Sequence, residues 1–179
     1  MKRNLITAIC FFVLVSSCKK DVTELPPATQ TGANTFGAKI NGAFWVPQGF
    51  GPIPANDILD ARLLPGGTVY INARNFSSSP NETEFEIYLK GVTGPGTYLL
   101  NKTVPYPSSS ENYGYYVKRN LTPQNEWITS ATSTGSVTIT RFDVPAMIIS
   151  GTFQFNALNL YNSPEPLAIT EGRFDVKMQ

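Results

Sequence analysis

The chain has 179 residues, a formal net charge of +1 and no histidine. Without histidine it has neither the general base of Ser-His-Asp and Cys-His catalysis nor an imidazole metal ligand. Its charges are few and of mixed sign along the sequence, which argues against nucleic acid as a partner.

The first 17 residues have the pattern of a bacterial signal peptide. Lys2 and Arg3 give a positive start, and the apolar run that follows, up to residue 15, is shorter than the roughly 20 residues of a membrane-spanning helix. The letters LVSSC at 14–18 resemble a lipobox, in which small residues precede a cysteine that receives the lipid. We therefore expect cleavage after residue 17 and lipidation of Cys18. The alternative is an ordinary secretory signal with an incidental cysteine.

Cleavage at this point has consequences for the mature chain. Cys10 would leave with the signal, so the acylated Cys18 would be the single remaining cysteine and no disulfide could form. Loss of Lys2 and Arg3 changes the formal net charge from +1 to −1. Stability must then come from an apolar core, and residues 35–179 are enough for a single domain.

Residues 18–34 predict a lipidated, flexible tether. The segment has no aromatic residue and carries Pro26-Pro27 at its centre, a composition typical of extended polar linkers. We expect it to hold the domain away from the bilayer, with Lys19 and Lys20 at the lipid headgroups. The basic pair could instead belong to an export address.

The domain opens with a predicted β-hairpin over residues 36–47. Its centre is Asn41-Gly42, a dipeptide that tolerates positive φ at both turn positions. The pattern FxAxINGxxW, which begins at Phe36, resembles the opening of a family of small Bacteroidota lipoproteins of unknown function. The closing segments SGTFQF and ITEGRFDV resemble the C-terminal strands of the same family, and the lipobox followed by Lys-Lys-Asp is similar to the start of many lipoproteins from that phylum. The resemblance implies an all-β domain and an outer-membrane address, and it carries over no active site.

Alternation of apolar and polar residues, broken by Gly and Pro turn signals, predicts strands along the rest of the chain. The predicted segments are 58–64, 68–76, 84–90, 97–100, 113–119 and 126–130, followed by three in the closing stretch 135–177. Nine to eleven strands and no convincing helix indicate an all-β fold, an antiparallel β-sandwich or barrel.

The last predicted strand changes its alternation. Leu167 and Ile169 are apolar at odd positions, whereas Phe174 and Val176 are apolar at even ones. One extra residue near Gly172 would restore the pattern, so we predict a β-bulge there with Gly172 at positive φ.

Acidic residues are the remaining candidates for catalysis. A glycosidase needs two carboxyl groups about 5–10 Å apart across a cleft. Glu84 and Glu86 alternate with apolar residues as on a water-facing strand, and Asp57 and Asp60 stand at a strand entry. We therefore expect no enzyme activity, no cofactor and no metal site.

A charged triplet occurs twice near the end of the chain. Arg141-Phe142-Asp143 recurs as Arg173-Phe174-Asp175. In each, Arg and Asp share one strand face, so we expect charge pairs on the wet side of the sheet. A repeated ligand-binding triplet is the alternative.

Aromatic residues are the candidates for binding. Tyr113, Tyr115 and Tyr116 are clustered, and Trp127 follows on the next predicted strand. Stacked rings suit the C–H faces of sugars, so these four residues are candidates for a glycan platform, whereas packing in the core or at its rim is the favoured interpretation.

The sequence thus predicts a lipid-anchored outer-membrane protein that acts as a non-enzymatic binding or accessory module. Its expected partners are the membrane, through the anchor, and a glycan or an envelope protein. The alternative is an assembly subunit that docks on another envelope protein by a sheet edge or loop surface. Periplasmic and surface-exposed positions are both open.

Overall fold

The chain folds into one antiparallel sheet that curls into a half-barrel around an apolar core. The computed structural model describes residues 22–49, 58–78, 81–107, 110–119, 125–161 and 165–179. The predicted signal peptide, the lipidation site Cys18 and the candidate acid Asp57 lie outside these ranges.

The regular secondary structure of the described residues consists of strands alone. This confirms the prediction of an antiparallel all-β fold with nine to eleven strands. In chain order they are β1 (Thr35–Ile40), β2 (Ala43–Trp45), β3 (Leu59–Leu64), β4 (Thr68–Asn75), β5 (Thr83–Leu89), β6 (Gly96–Leu100), β7 (Tyr113–Lys118), β8 (Glu126–Ile128), β9 (Gly135–Asp143), β10 (Ile148–Asn159) and β11 (Leu167–Lys177). The predicted opening hairpin is also confirmed, with Asn41 and Gly42 at φ of 47° and 85°.

β10 is the strand at which the sheet divides. Its first part pairs with β9 on one side and β11 on the other, whereas Leu158 and Asn159 at its end pair with β8. The long path through the sheet runs β2-β1-β11-β10-β8-β7-β5-β4-β3, and β6 joins through β9. β10 therefore belongs to both halves of the curl.

Backbone bonds near the chain's turns and end partly seal the curled sheet. Gln179 exchanges hydrogen bonds with Ala61 and Leu63 of β3. Gln48 forms a parallel bridge with Asn75 at the end of β4, beyond the residues of β4 that pair with β3. Residues that follow β11 and β2 thus pair with β3 and β4, which would otherwise present free backbone groups.

Aromatic rings fill the inside of the curl. The ring centroid of Phe36 lies 5.1 Å from that of Phe153 and 5.9 Å from that of Trp45. Trp45 in turn lies 4.7 Å from Phe85, and its indole N–H donates to Thr83 Oγ1 at 2.8 Å. These contacts fasten the opening hairpin to β5, on the other half of the sheet.

The predicted bulge is present in β11. Phe153 is opposite Gly172 while Phe155 is opposite Ile169, so β11 has one residue more than β10 between these pairs. The positive φ falls on Glu171, at 52°, and the expectation that Gly172 would carry it is wrong. Gly172 is needed for space, because a Cβ there would lie 2.5 Å from carbons of the Phe153 ring.

We predict that Gly172→Ala lowers the free energy of unfolding by about 1–3 kcal/mol, the usual effect of overpacking a core. Urea denaturation measures the change. Gly94→Ala is the matched control, since a Cβ at Gly94 meets no atom within 4 Å. Equal stability of the two variants would contradict the steric role of Gly172.

Part of the predicted tether is bound to the domain through Asp175, a residue that is 1% exposed. Its carboxylate accepts hydrogen bonds from the Thr29 and Ser150 hydroxyls and from the backbone N–H groups of Thr31, Gly32 and Ala33, at 2.6–3.1 Å. Burial opposes the charge, but these bonds outweigh it and hold the pKa of Asp175 well below its usual range. At residues 29–33 the prediction of a flexible tether is therefore corrected.

The two charged triplets differ in the structure. Arg141 and Asp143 form the expected pair, with Arg141 Nη2 donating to Asp143 Oδ2 at 2.7 Å. Asp175 is instead buried among uncharged donors, and Arg173 donates to the backbone oxygens of Glu171 and Pro26. Arg173 and Asp175 therefore do not pair with each other on the surface. Both instead bind the segment before β1.

We predict that Asp175→Asn lowers the free energy of unfolding at pH 7 by about 2 kcal/mol, since bonds to a charged acceptor are lost. A depressed folded pKa stabilises above the unfolded value of about 3.9, and that contribution is lost as pH falls through the folded pKa. Urea denaturation at pH 7 and pH 3 should show the difference from wild type shrinking in acid. Asp143→Asn, in the exposed triplet, should lower the free energy of unfolding by less. An equal decrease for the two variants would contradict the role assigned to Asp175.

Candidate functional site

The outer face of β4, β5, β7 and β8 carries a second buried cluster, separate from the core. We call it the tyrosine face. Its rings are those of Tyr70, Tyr88, Tyr106, Tyr113 and Tyr115. They are five of the eight tyrosines in the chain, so this residue type is concentrated on one side of one half of the sheet.

The strand register brings four of these rings together: three form one row, and Tyr115 follows two residues after Tyr113 on the same face of β7. Tyr70 is opposite Tyr88, and Tyr88 is opposite Tyr113, so the three stand in one row across β4, β5 and β7. The Tyr88 and Tyr113 rings are stacked, with centroids 5.3 Å apart and an interplanar angle of 7°.

The fifth ring comes from the loop between β6 and β7. Tyr106 stacks on Tyr115, with centroids 4.2 Å apart and an angle of 8°, and meets Tyr113 edge-on at 6.0 Å. Tyr106 and Tyr70 are the members of the cluster that are partly exposed. These two rings therefore form the solvent side of the tyrosine face.

Glu86 lies among these rings and is 9% exposed. The Tyr106 hydroxyl donates to both of its carboxylate oxygens at 3.4 Å, and the Tyr113 hydroxyl donates to Oε2 at 3.4 Å. Within the described ranges no Lys or Arg nitrogen lies within 4.0 Å of this carboxylate. Burial raises the pKa of Glu86 and the charge of Glu84 adds to the rise, while the tyrosine bonds oppose it.

Glu84, on the same strand and face, has the opposite environment. Arg119 donates to Oε2 with two nitrogens, Arg74 Nε lies 3.4 Å from Oε1, and Asn72 donates to the same oxygen. Burial would raise the pKa of Glu84, but the bonds from Asn72 and Arg119 and the two cationic charges lower it. The expectation that Glu84 and Glu86 face water is wrong, because the loop with Tyr106 and the arginines cover them.

Asn72 supplies a further polar atom to this face. It is opposite Glu86 in the register of β4 and β5 and is 1% exposed. Its amide N–H₂ donates to Glu84, while its Oδ1 is buried and finds no hydrogen-bond partner in the described part of the chain. A buried acceptor without a donor costs free energy, so Asn72 Oδ1 is an acceptor that the described part of the fold leaves unsatisfied.

The four predicted binding residues separate onto two faces. Tyr113 and Tyr115 lie in the tyrosine face, whereas Tyr116 and Trp127 point into the core, and each is at most 4% exposed. Trp127 is fixed there by its indole N–H, which donates to the Glu165 carbonyl at 2.9 Å. The four residues therefore do not form one open platform, because neighbouring residues on a strand point to opposite sides, and their burial agrees with the favoured core or rim packing.

Sequence reasoning missed several members of the face. The alternation of β4 and β5 puts Tyr70 and Tyr88 outward, but it does not show that β5 pairs with β7 and so brings them to Tyr113. Tyr106 lies in a loop with no periodic pattern, and no local signal indicated its position.

Comparison with protein families gives one match. Residues 33–175 match the family described as Domain of unknown function (DUF6252). The chain belongs to this family. The match covers the sheet from β1 into β11 and therefore includes the whole tyrosine face of this DUF6252 domain. Searches of curated proteins and of solved structures found no match.

Two other features are absent from the described ranges of the DUF6252 protein. No three His, Cys, Asp or Glu side chains there are grouped so that they could hold a metal ion. The same ranges contain no helix long and apolar enough to cross a membrane.

We predict opposite effects for two isosteric changes on β5. Glu84→Gln should lower the free energy of unfolding at pH 7 by about 1.5–3 kcal/mol, since bonds to a buried charge are lost. Glu86→Gln should leave stability unchanged or raise it, because the charged form is disfavoured by burial.

Urea denaturation at two pH values supplies the check. An acid with a raised folded pKa stabilises the fold below its unfolded value of about 4.3 and loses that contribution as pH rises through the folded pKa. The advantage of Glu86→Gln should therefore be present at pH 7 and absent at pH 4. A loss at pH 7 as large as that of Glu84→Gln would contradict this assignment.

Proposed function

We propose that this protein is a lipid-anchored outer-membrane lipoprotein whose domain is a non-enzymatic binding module, with the tyrosine face as its ligand site. The observation that carries the proposal is the burial of Glu86 among tyrosine rings, with no cationic partner among the residues that the structure describes. Buried charges are normally paired, and an apolar residue would be the more stable choice on this face. Retaining a costly group is typical of functional sites.

The composition of the face suits a ligand with rings and hydroxyl groups. Tyrosine offers an apolar ring and a polar tip, while Glu86 and Asn72 offer acceptors. Tyr106, whose hydroxyl donates to Glu86, is partly exposed, so a ligand that contacts its ring is next to the carboxylate. A glycan fits this combination and is the candidate ligand.

A role in catalysis is less well supported. The chain has no histidine, and the Glu84 carboxylate is held by two arginines and Asn72. Glu84 and Glu86 lie on one face of one strand, whereas the two acids of a glycosidase face each other across a bound sugar.

We predict that Cys18→Ala abolishes lipid labelling and releases the protein from membranes. The reason is that the lipobox-like LVSSC provides the cysteine to be acylated. Growth with a labelled fatty acid followed by membrane fractionation is the measurement. Cys10→Ala is the control and should be labelled normally, and a Cys18→Ala protein that still incorporates label would refute the anchor.

Binding at the tyrosine face can be tested with the mature chain carrying Cys18→Ala. We predict that Tyr106→Ala weakens binding of a glycan found by array screening by about 1–3 kcal/mol, a scale taken from base stacking on aromatic rings. Tyr98→Ala is the control, because Tyr98 packs against the core cluster. If calorimetry gives equal affinities for the Tyr106 and wild-type proteins, the ligand site is elsewhere.

A second candidate function, docking on another envelope protein, is favoured by a separate observation. Leu158, Leu160 and Tyr161, at the end of β10, are 44%, 39% and 44% exposed. Leu160→Asp should then reduce crosslinking to a neighbouring envelope protein in intact cells without changing glycan binding. Unchanged crosslinking would contradict the docking function and leave glycan binding as the single proposed function.

A further inference from the structure

We propose that the tyrosine face recognises a protonated amine, with the ammonium group held between Glu86 and the tyrosine rings. The proposal rests on the proposed function, because it names the chemistry of the ligand at the same site. It goes further in that it assigns a charge to the ligand and a role to two buried acceptors, Glu86 and Asn72.

Of the two acids buried in the face, Glu86 has no cationic partner among the described residues. Glu84 is bound by Arg74 and Arg119, so its charge is more than compensated locally. Glu126 accepts hydrogen bonds from the Tyr115 and Tyr161 hydroxyls and lies at the more exposed end of the face. Glu86, deeper in the cluster, is bound by neutral hydroxyls, and a cation is the partner that would complete it.

The rings around Glu86 also favour a cation. The π face of an aromatic ring carries partial negative charge and attracts ammonium groups within about 6 Å. Tyr115, on which Tyr106 stacks, is directly opposite Glu86, and the stacked pair Tyr88–Tyr113 lies in the next row of the sheet. An ammonium beside the carboxylate would therefore meet rings as well as the charge.

The second buried acceptor decides between an amine and a simple hydroxyl. Asn72 Oδ1 has no partner among the described residues, and Asn72 is directly opposite Glu86. A primary ammonium carries three N–H donors, so one group can serve both residues, whereas a hydroxyl carries one donor and no charge. Anionic ligands would be repelled by Glu86.

A primary amine of this kind could come from an amino sugar, a lipid headgroup or a lysine side chain. All three present the same ammonium, and the structure assigns the shared chemistry. The sources are distinguished by separate arms of the experiment.

The experiment uses the mature chain with Cys18→Ala and follows backbone amide NMR signals of β4, β5 and β7 at pH 7.5. Ethylammonium chloride is the probe, ethanol is its neutral counterpart, and sodium chloride controls for ionic strength. We expect saturable shifts at Tyr70, Glu86 and Tyr113 with ethylammonium alone. No saturable shift up to about 100 mM, or equal shifts with ethanol, would overturn the proposal, since a weaker interaction would not be specific.

Variants test the two named groups. Glu86→Gln should weaken binding of the amine about tenfold or more, because the charge-assisted bond is lost. Glu171→Gln makes the same change of charge on β11 and should have no effect. Tyr106→Ala, a loop change, gives an independent test should Glu86→Gln not fold, and unaltered binding in either variant would contradict the site.

The last arms identify the source and separate this inference from the proposed function. Glucosamine is compared with glucose, and ethanolamine and Nα-acetyl-lysine amide are measured beside them. The amine probe that binds most tightly indicates the source of the ligand. Equal binding of the three amines supports recognition of the ammonium group without a preference for its source. If a neutral glycan binds the face as well in Glu86→Gln as in wild type, the amine is overturned while the proposed function stands.

Discussion

The half-barrel depends on the contact between Phe155 and two glycines. A Cβ on Gly135 would lie 2.2 Å from the Cβ of Phe155, and one on Gly114 would lie 2.8 Å from its ring. Because these positions have no side chain, β10 can lie close to both β9 and β7 and join the two halves of the sheet. The ring of Phe153 covers Gly172 in the same manner. A curl this tight leaves the inside mainly to aliphatic and aromatic side chains.

That constraint explains why the buried acidic side chains lie on the outer face of the sheet. Three of these acids differ in the partners that surround their carboxylates. The carboxylate of Asp175 is surrounded by hydroxyl and backbone donors, and Glu84 by arginines and Asn72, so burial of each is compensated. Glu86 has tyrosine hydroxyls at 3.4 Å and no cation within 4.0 Å in the described chain. The difference among the acids locates the candidate site more sharply than the tyrosines alone.

Much of the fold could be predicted from the sequence because strands, turns and the bulge leave local patterns. The change of parity between Ile169 and Phe174 revealed the bulge, and Asn41-Gly42 revealed the hairpin. The site could not be predicted in the same way, since pairing of β5 with β7 and the approach of Tyr106 are long-range. One feature of the site could be predicted: Tyr115 and Tyr116 are neighbours on a strand, so their side chains point to opposite faces of the sheet. The binding of residues 29–33 by Asp175, more than 140 positions away, left no local signal.

The account depends on the claim that Glu86 is a buried carboxylate without a matching charge, and its side-chain titration tests this most directly. Carboxyl carbon NMR of the folded domain between pH 3 and pH 9 would follow Glu84 and Glu86 in one sample. We expect Glu86 to titrate above the ordinary glutamate pKa of about 4.3 and Glu84 below it. Titration of Glu86 at or below the ordinary value would show that its charge is already compensated, and would contradict the account.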